Sequence, residues 1–329
     1  MRRTTSLASA IGIALLAFVV SEDAVSTARL ARPQPPQSVE AARECEDKPV
    51  VARGTNIVDP DHLSDAEVAA ADEQLVRAEA EQRAVSRQGP ARTGLDTQRI
   101  QMTVVRVFVH VLRDSNSSGV ARTRIERQIS VLNRAYAGRQ SAWASVAPFA
   151  FRLARVDVTT KDSWYRMEEG SVAERHAKRA LHRGDASDLN VYVTGSRSGM
   201  LGWATQPTAY RQEPLLDGIT ISRRALPGGM SGRYSTGDVA VHESGHWLGL
   251  FHTFTGRCGT RGDLVADTPA ESRPSYTCPR NRNTCAAPGR DPIHNFMDYS
   301  YDACMDRFTA GQALRMMRAW SALRAASGA

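Results

Sequence analysis

The rhythm of apolar positions changes at about residue 100. In "QMTVVRVFVHVL" (101–112) large apolar residues alternate with polar ones, the signature of a half-buried strand. The next stretch, "TRIERQISVLNRAYAG", spaces Ile125, Ile129, Leu132 and Tyr136 at helical intervals and reaches Gly138, which predicts one amphipathic helix. Alternation returns in "FAFRLARVDVTT", "SVAERHAKRALHRG" reads as helix, and "DLNVYVTG" and "DGITIS" read as short strands between glycine-rich loops. Residues 255–300 are rich in Gly, Pro, Asp, Asn and Cys with little periodicity, so cross-links or ions must hold them as much as a core does. A last helix is expected in "TAGQALRMMRAWSALR", where Thr309 and Gln312 form a capping-box pattern. There is no internal repeat.

Upstream, residues 30–99 are rich in Pro, Ala, Glu and Arg and carry one helical stretch, "SDAEVAAADEQLVRAEAEQRAV", opened by Ser64 with Glu67 three residues on. Few large apolar residues occur there, so the segment reads as a pro-region or linker rather than a second domain. At the start, Arg2 and Arg3 precede "LASAIGIALLAFVV", an apolar run suited to an export signal and too short for a confident membrane span. The expected organisation is a signal peptide over 1–28, a pro-region over 29–99 and a catalytic domain over 100–329, secreted and without stable membrane association.

Composition refines this picture. The 329 residues include 42% hydrophobic residues, enough for a sizeable core, and carry a net charge of +7. Residues 100–329 hold 30 Lys and Arg against 20 Asp and Glu, whereas residues 1–99 hold 12 against 15. The arginines are scattered without aromatic interleaving, and no nucleic-acid motif accompanies them, so no nucleic-acid partner is expected. An acidic front segment covering a basic body is the simpler reading. Five cysteines suit an oxidising compartment. Cys258, Cys278, Cys285 and Cys304 fall close together after residue 255, which suggests two disulfides in any of three pairings, while Cys45 stands apart.

The chemistry concentrates in "VAVHESGHWLGLFHTF" (239–254). On a helix, His242 and His246 share one face and can aim two imidazoles at one zinc ion. Glu243 then lies beside the open coordination position, where a carboxylate can take a proton from water. His252 is six residues past His246 and misses that face on a straight helix. Gly249 offers the stop: a left-handed residue there turns the chain and returns His252 to the ion. Three nitrogens with a vacant fourth position describe catalytic rather than structural zinc.

This motif, with "NFMDYS" 45 residues beyond the third histidine, is similar to that of the metzincins. The segments "GMLGWATQPTAY", "LDGITI", "HWLGLFHTF", "GDLVADTPA" and "NFMDYSYDACMDRFTAGQALRM" resemble, in the same order, the pappalysin (cytophagalysin) family, close to its ulilysin-like bacterial members. The resemblance spans about residues 100–320. It implies an α+β metzincin fold: a twisted, mostly parallel sheet with an antiparallel edge strand, a backing helix, the zinc helix above the cleft, and an irregular disulfide-linked C-terminal subdomain. "GITISR" is expected as the edge strand that binds substrate backbone.

The resemblance also implies roles. His242, His246 and His252 would ligate zinc, Glu243 would be the general base, Met297 the methionine beneath the metal, and Tyr299 a hydrogen-bond donor to the tetrahedral intermediate. Calcium is expected in "CGTRGDLVADTPA", with Asp263, Asp267 and Thr268 as candidate ligands. The favoured disulfide pairing is Cys258–Cys285 with Cys278–Cys304. Apart from the resemblance, a free Cys45 thiolate could fill the fourth zinc position and make the pro-region an inhibitor, with an unpaired or dimer-forming cysteine as the alternative, and Arg87, Arg92 and Arg99 stand at the boundary where the enzyme could cut itself. Asp302 is the candidate for a pocket preferring Lys or Arg beside the scissile bond, with Asp298 and Asp306 as rivals. Asp238 and Val239 depart from the family pattern, which commonly has a basic residue and threonine there. The expected activity is a secreted zinc endopeptidase acting on extended protein or peptide substrates. A silent binding protein on the same shell is the alternative, against which the intact Glu243 argues.

Overall fold

A computed structural model describes residues 63–88, 101–195, 199–259 and 261–325, all of which belong to one compact unit. Helix α1 runs over Asp65–Gln88 and begins with the expected cap: the Ser64 hydroxyl accepts from the Glu67 N–H, and the Glu67 carboxylate accepts from the Ser64 N–H. The alternating run becomes strand β1, Thr103–Arg113, followed by helix α2, Arg122–Tyr136, and strand β2, Phe149–Thr160. The short helix α3 (Asp162–Tyr165) and helix α4 (Val172–Leu181) lead to strand β3, Asp188–Thr194. Strand β4 is Gly202–Ala204 and β5 is Ile219–Ser222. Helix α5, Asp238–Trp247, carries the histidine motif, and α6, Ala310–Ala319, runs into a π-helical turn over Trp320–Arg324.

The sheet order is β2-β1-β3-β5-β4, with every pair parallel except β4, which runs antiparallel to β5 at the edge. The expectation that "GITISR" forms the antiparallel edge is therefore corrected. Ile219–Ser222 pairs on both sides and is buried throughout, and the edge is "GWA" at 202–204. Three or four residues are too few for the polar/apolar pattern to tell an edge strand from an inner one.

Period-2 alternation in β1 sends Val105, Val107, Val109 and Val111 to one face, where they pack with Ile125, Leu132 and Tyr136 of α2 and with Ala240 and Val241 of α5. On the other face Leu112 packs with Met167, Ala177, Tyr192 and Trp203. The sheet is thus sandwiched at its centre, where β3 and β5 are buried at every position. The irregular segment after α5 is closed by the disulfides Cys258–Cys285 and Cys278–Cys304, the favoured pairing. Among the described residues no helix is long and apolar enough to cross a membrane. The expected signal segment and Cys45 lie outside the described residues.

Candidate active site

Helix α5 starts at Gly237, whose φ of +109° is left-handed, and its first turn is held from below by Asp302. One oxygen of that carboxylate accepts from the Thr236 N–H (2.8 Å), the Thr236 hydroxyl (2.9 Å) and the Gly237 N–H (3.2 Å). The other oxygen meets no hydrogen-bond donor among the described residues. Burial raises the pKa of Asp302, and burial followed by the Asp302 charge raises that of Asp238 to about 7.

One turn apart on α5, His242 and His246 point the same way. The Nδ1 of His242 donates to the Phe296 carbonyl (2.6 Å) and that of His246 to the Leu250 carbonyl (2.9 Å). A carbonyl oxygen only accepts, so each proton sits on Nδ1 and each Nε2 presents a lone pair. Burial keeps both rings neutral, lowering the His242 pKa to about 4 and holding that of His246 well below the ordinary histidine value. Their Nε2 atoms are 3.1 Å apart, and the Nε2 of His252 lies 3.0 Å from His246 and 3.2 Å from His242. Lone pairs turned on one point repel unless a cation lies among them, and tetrahedral bonds of about 2.0–2.1 Å separate two nitrogens by about 3.3 Å. The donor set therefore fits zinc, and this trio is the group of metal-binding side chains that the described residues bring together.

The third histidine arrives as the spacing predicts. Gly249 takes φ +94°, and its N–H donates to the His246 carbonyl at 2.8 Å while the Leu250 N–H donates to the Gly245 carbonyl at 3.0 Å. Two arginines from the C-terminal end hold the same turn. Arg324 donates through Nε to the Trp247 carbonyl (2.7 Å), and Arg315 through Nε to the Gly249 carbonyl (2.9 Å). Arg324 is fully buried, forks onto Asp217 at 3.0 Å through both terminal nitrogens, and lies 3.8 Å over the Trp247 ring. Sequence reasoning missed both arginines, because a buried arginine leaves no periodic signal.

Beneath the histidines, fully buried Met297 presses on the zinc helix so closely that a Cβ on Gly245 would lie 2.5 Å from its sulfur. The Thr253 N–H donates to the Met297 carbonyl (3.1 Å), tying the segment after His252 to the methionine turn. The Tyr299 hydroxyl lies 3.0 Å from His252 Nε2, at the rim of the nitrogen cluster. Glu243 packs against the edge strand, where a Cβ on Gly202 would fall 2.6 Å from its Oε1. Gly202 was missed as a site residue: "LGWA" marks a short strand but not what faces it.

The remaining candidates separate. Asp263 and Thr268 come together, and burial lifts the Asp263 pKa to about 7 against the Val265 N–H and Thr268 hydroxyl, which lower it. Asp267 turns away to the start of α6, accepting from the Thr309 hydroxyl (2.7 Å) and the Gly311 N–H (2.8 Å). Asp298 accepts from the Ser275 N–H and the Ser300 hydroxyl, and Asp306 pairs with Arg307. His110 is buried in the sheet between Asp157 and Asn190, remote in role from the trio.

Comparison with known proteins places this geometry. Residues 230–321 match the peptidase family described as pregnancy-associated plasma protein-A. The chain is 40% identical over 228 residues to an extracellular metalloprotease of Neurospora crassa, covering 67% of this chain and 76% of that one. An extracellular metalloprotease of Sordaria macrospora is 42% identical with the same coverage. Among solved structures, mature mirolysin of Tannerella forsythia in complex with a cleaved peptide aligns with a TM-score of 0.56 at 30% identity, over 66% of this chain and 90% of that one. A promirolysin variant of the same organism aligns with a TM-score of 0.58 at 26% identity, over 68% and 82%.

The mixed sheet, the convergent histidines and these likenesses define a zinc metalloprotease of the metzincin type. The chain belongs to the pappalysin family, the peptidase family of pregnancy-associated plasma protein-A.

Proposed function

We propose that the protein is a secreted endopeptidase made as a zymogen, with a signal peptide over 1–28, a pro-region over 29–99 and a catalytic domain over 100–329. The observation that carries the catalytic reading is Glu243, wedged against Gly202 on the helix whose His242 and His246 converge with His252, their Nε2 atoms within 3.2 Å of one another. Zinc held by His242, His246 and His252 supplies, when bound, Lewis acidity toward the scissile carbonyl and toward water. Glu243 takes a proton from the attacking water as the new C–O bond forms and passes it to the amine nitrogen as the C–N bond breaks. Tyr299 donates its hydroxyl hydrogen to the carbonyl oxygen where negative charge grows. Met297 and the two carbonyls that hold the histidine Nδ1 protons keep the ligands from turning.

An extended substrate would lie alongside β4, the antiparallel edge strand of the sheet, in the manner of strand addition. Asp302 is the candidate for recognising Lys or Arg after the cut. Its unmatched buried oxygen supports that role, and its hydrogen bonds to 236–237 give it a second duty in starting α5. Asp263 and Thr268 are the calcium candidates, because a buried carboxyl raised to about 7 gains most from an adjacent cation. Asp267 is the weaker third, since α6 already engages it. In the zymogen, Cys45 would occupy the fourth zinc position.

The test is cleavage of a denatured protein mixture by the calcium- and zinc-loaded enzyme, with new peptide ends read by mass spectrometry. Wild type should yield N-termini enriched in Lys and Arg, and Asp302→Asn should lose that enrichment while still cutting. Identical end patterns from both would remove Asp302 from the pocket, and no new ends at all would leave the silent-binding reading.

A further inference from the structure

Helix α1 meets the body along a seam that repeats every three or four residues. Val68, Asp72, Leu75, Glu79 and Gln82 follow at intervals of four, three, four and three, which keeps one stripe of a helix turned to one partner. Leu75 is only 2% exposed, and Val68 and Ala78 are buried with it. The polar members of the stripe are matched individually. Asp72 accepts from Arg315 at 3.1 Å, Glu79 takes both the Nε and a terminal nitrogen of Arg318 at 2.6 and 3.0 Å, and Gln82 donates to the Ser321 carbonyl at 3.0 Å. Glu81 reaches Arg211 at 3.3 Å from the flank.

The receiving surface is built rather than incidental. Arg315 is buried to 6% side-chain exposure, lies 4.8 Å over the Phe251 ring, and spends its Nε on the Gly249 carbonyl at the turn that aims His252. Glu79 and Arg318 form a two-pronged pair, the arrangement in which a guanidinium is most selective. The helix has its own cap at Ser64 and Glu67 and is 24 residues long, well beyond the length at which isolated helices are marginal.

We propose that the face of α6 carrying Arg315 and Arg318, with the turn at Ser321, is a docking surface for helix 65–88 that outlasts any cut between residues 88 and 101, so that α1 stays as a non-covalent part of the mature enzyme. This rests on the reading of 29–99 as a pro-region. A pro-region that blocks a cleft has to leave for the enzyme to work, whereas α1 grips the C-terminal helix. Its release would uncover Leu75 and Val68 and separate two acids from their arginines. The pro-region then has two parts with different fates: a leading part available to inhibit, and α1, which remains and braces Arg315 against the zinc turn.

The test uses the full chain with Glu243→Ala and a recognition sequence for a sequence-specific endoprotease introduced between Gln88 and Gln101. After cutting, the material is passed over a sizing column at about 1 μM, a concentration at which a weaker interface releases its partner. Co-elution of the N-terminal fragment that carries the 24-residue helix with the body is expected, with at least a tenfold weaker hold in Arg318→Glu and recovery when Glu79→Lys is added. A fragment that elutes alone from otherwise unaltered material, or Arg318→Glu retaining it as well as the parent does, overturns the proposal. The engineered cut makes the result independent of natural processing, which N-terminal sequencing of the wild-type product reads separately.

Discussion

Substituting Gly202 by alanine tests whether the edge strand sets the position of the general base. The added Cβ would lie 2.6 Å from Glu243 Oε1, 2.8 Å from its Cγ and 2.9 Å from its Cδ. These fall short of a carbon contact of about 3.5 Å by roughly 0.6–0.9 Å. The carboxylate must therefore move by most of an ångström, or β4 must retreat from it. Misplacing a reacting group by about 1 Å costs on the order of a hundredfold in rate. If Glu243 moves, kcat falls by about thirty- to a hundredfold with KM changed less than about threefold, because the strand edge that meets the substrate is intact. The three atoms nearest that Cβ all belong to Glu243 and none to a histidine, so zinc content should stay at the wild-type level. Steady-state cleavage of a quenched fluorescent peptide, with metal content measured on the same samples, reads all three quantities. Activity within about threefold of wild type, or a loss carried by KM alone, would refute the claim that Gly202 makes room for the catalytic carboxylate.

Gly249→Ala forces a residue with a Cβ into a left-handed conformation and places that Cβ 2.8 Å from the Cβ of Ala319. The conformation alone costs about 1–2 kcal/mol, so thermal stability should fall and zinc should bind about tenfold or more weakly in chelator competition. Burial raises the Asp238 pKa from an ordinary 3.8 to about 7 in the folded chain, so folding favours the protonated form. Its contribution is fully present below pH 3.8 and is lost as pH rises through 7, with a ceiling of about 4 kcal/mol that Asp302 shares. Urea titrations should show Asp238→Asn gaining on wild type as pH rises across that window, and a constant difference would contradict the assignment. Tyr299→Phe should lower kcat by about a hundredfold, as removing one donor to a developing oxyanion does, with zinc retained.

The zinc site was largely legible because each demand on it is local. Helical spacing unites His242 and His246, and a glycine must end the helix before His252 can return, which the φ of Gly249 bears out. Long elements were legible too: β1, α2 and β2 carry their periodicity over eleven or more residues. The cap at Ser64 and Glu67 marked the start of α1, but its contact face did not stand out, since two of its five seam positions are acids matched to arginines some 240 residues away. Distance in sequence also hid Arg315, Arg324 and the anchoring of α5 by Asp302. The edge strand falls in "GWA" rather than "GITISR" for a different reason: strands of three or four residues are too short to show in their pattern that parallel pairing to β3 and the cover of β4 bury both faces of Ile219–Ser222.

In the proposed mechanism Glu243, beside zinc on three histidines, drives the breaking of peptide bonds. The most direct measurement compares wild type with Glu243→Ala, both zinc-loaded and both produced without residues 1–62 so that α1 is kept, for zinc content and for cleavage of the same peptide. Equal zinc is expected in the two proteins, with a loss of cleavage in the variant of about a hundred- to ten-thousandfold. Equal cleavage by both would contradict it.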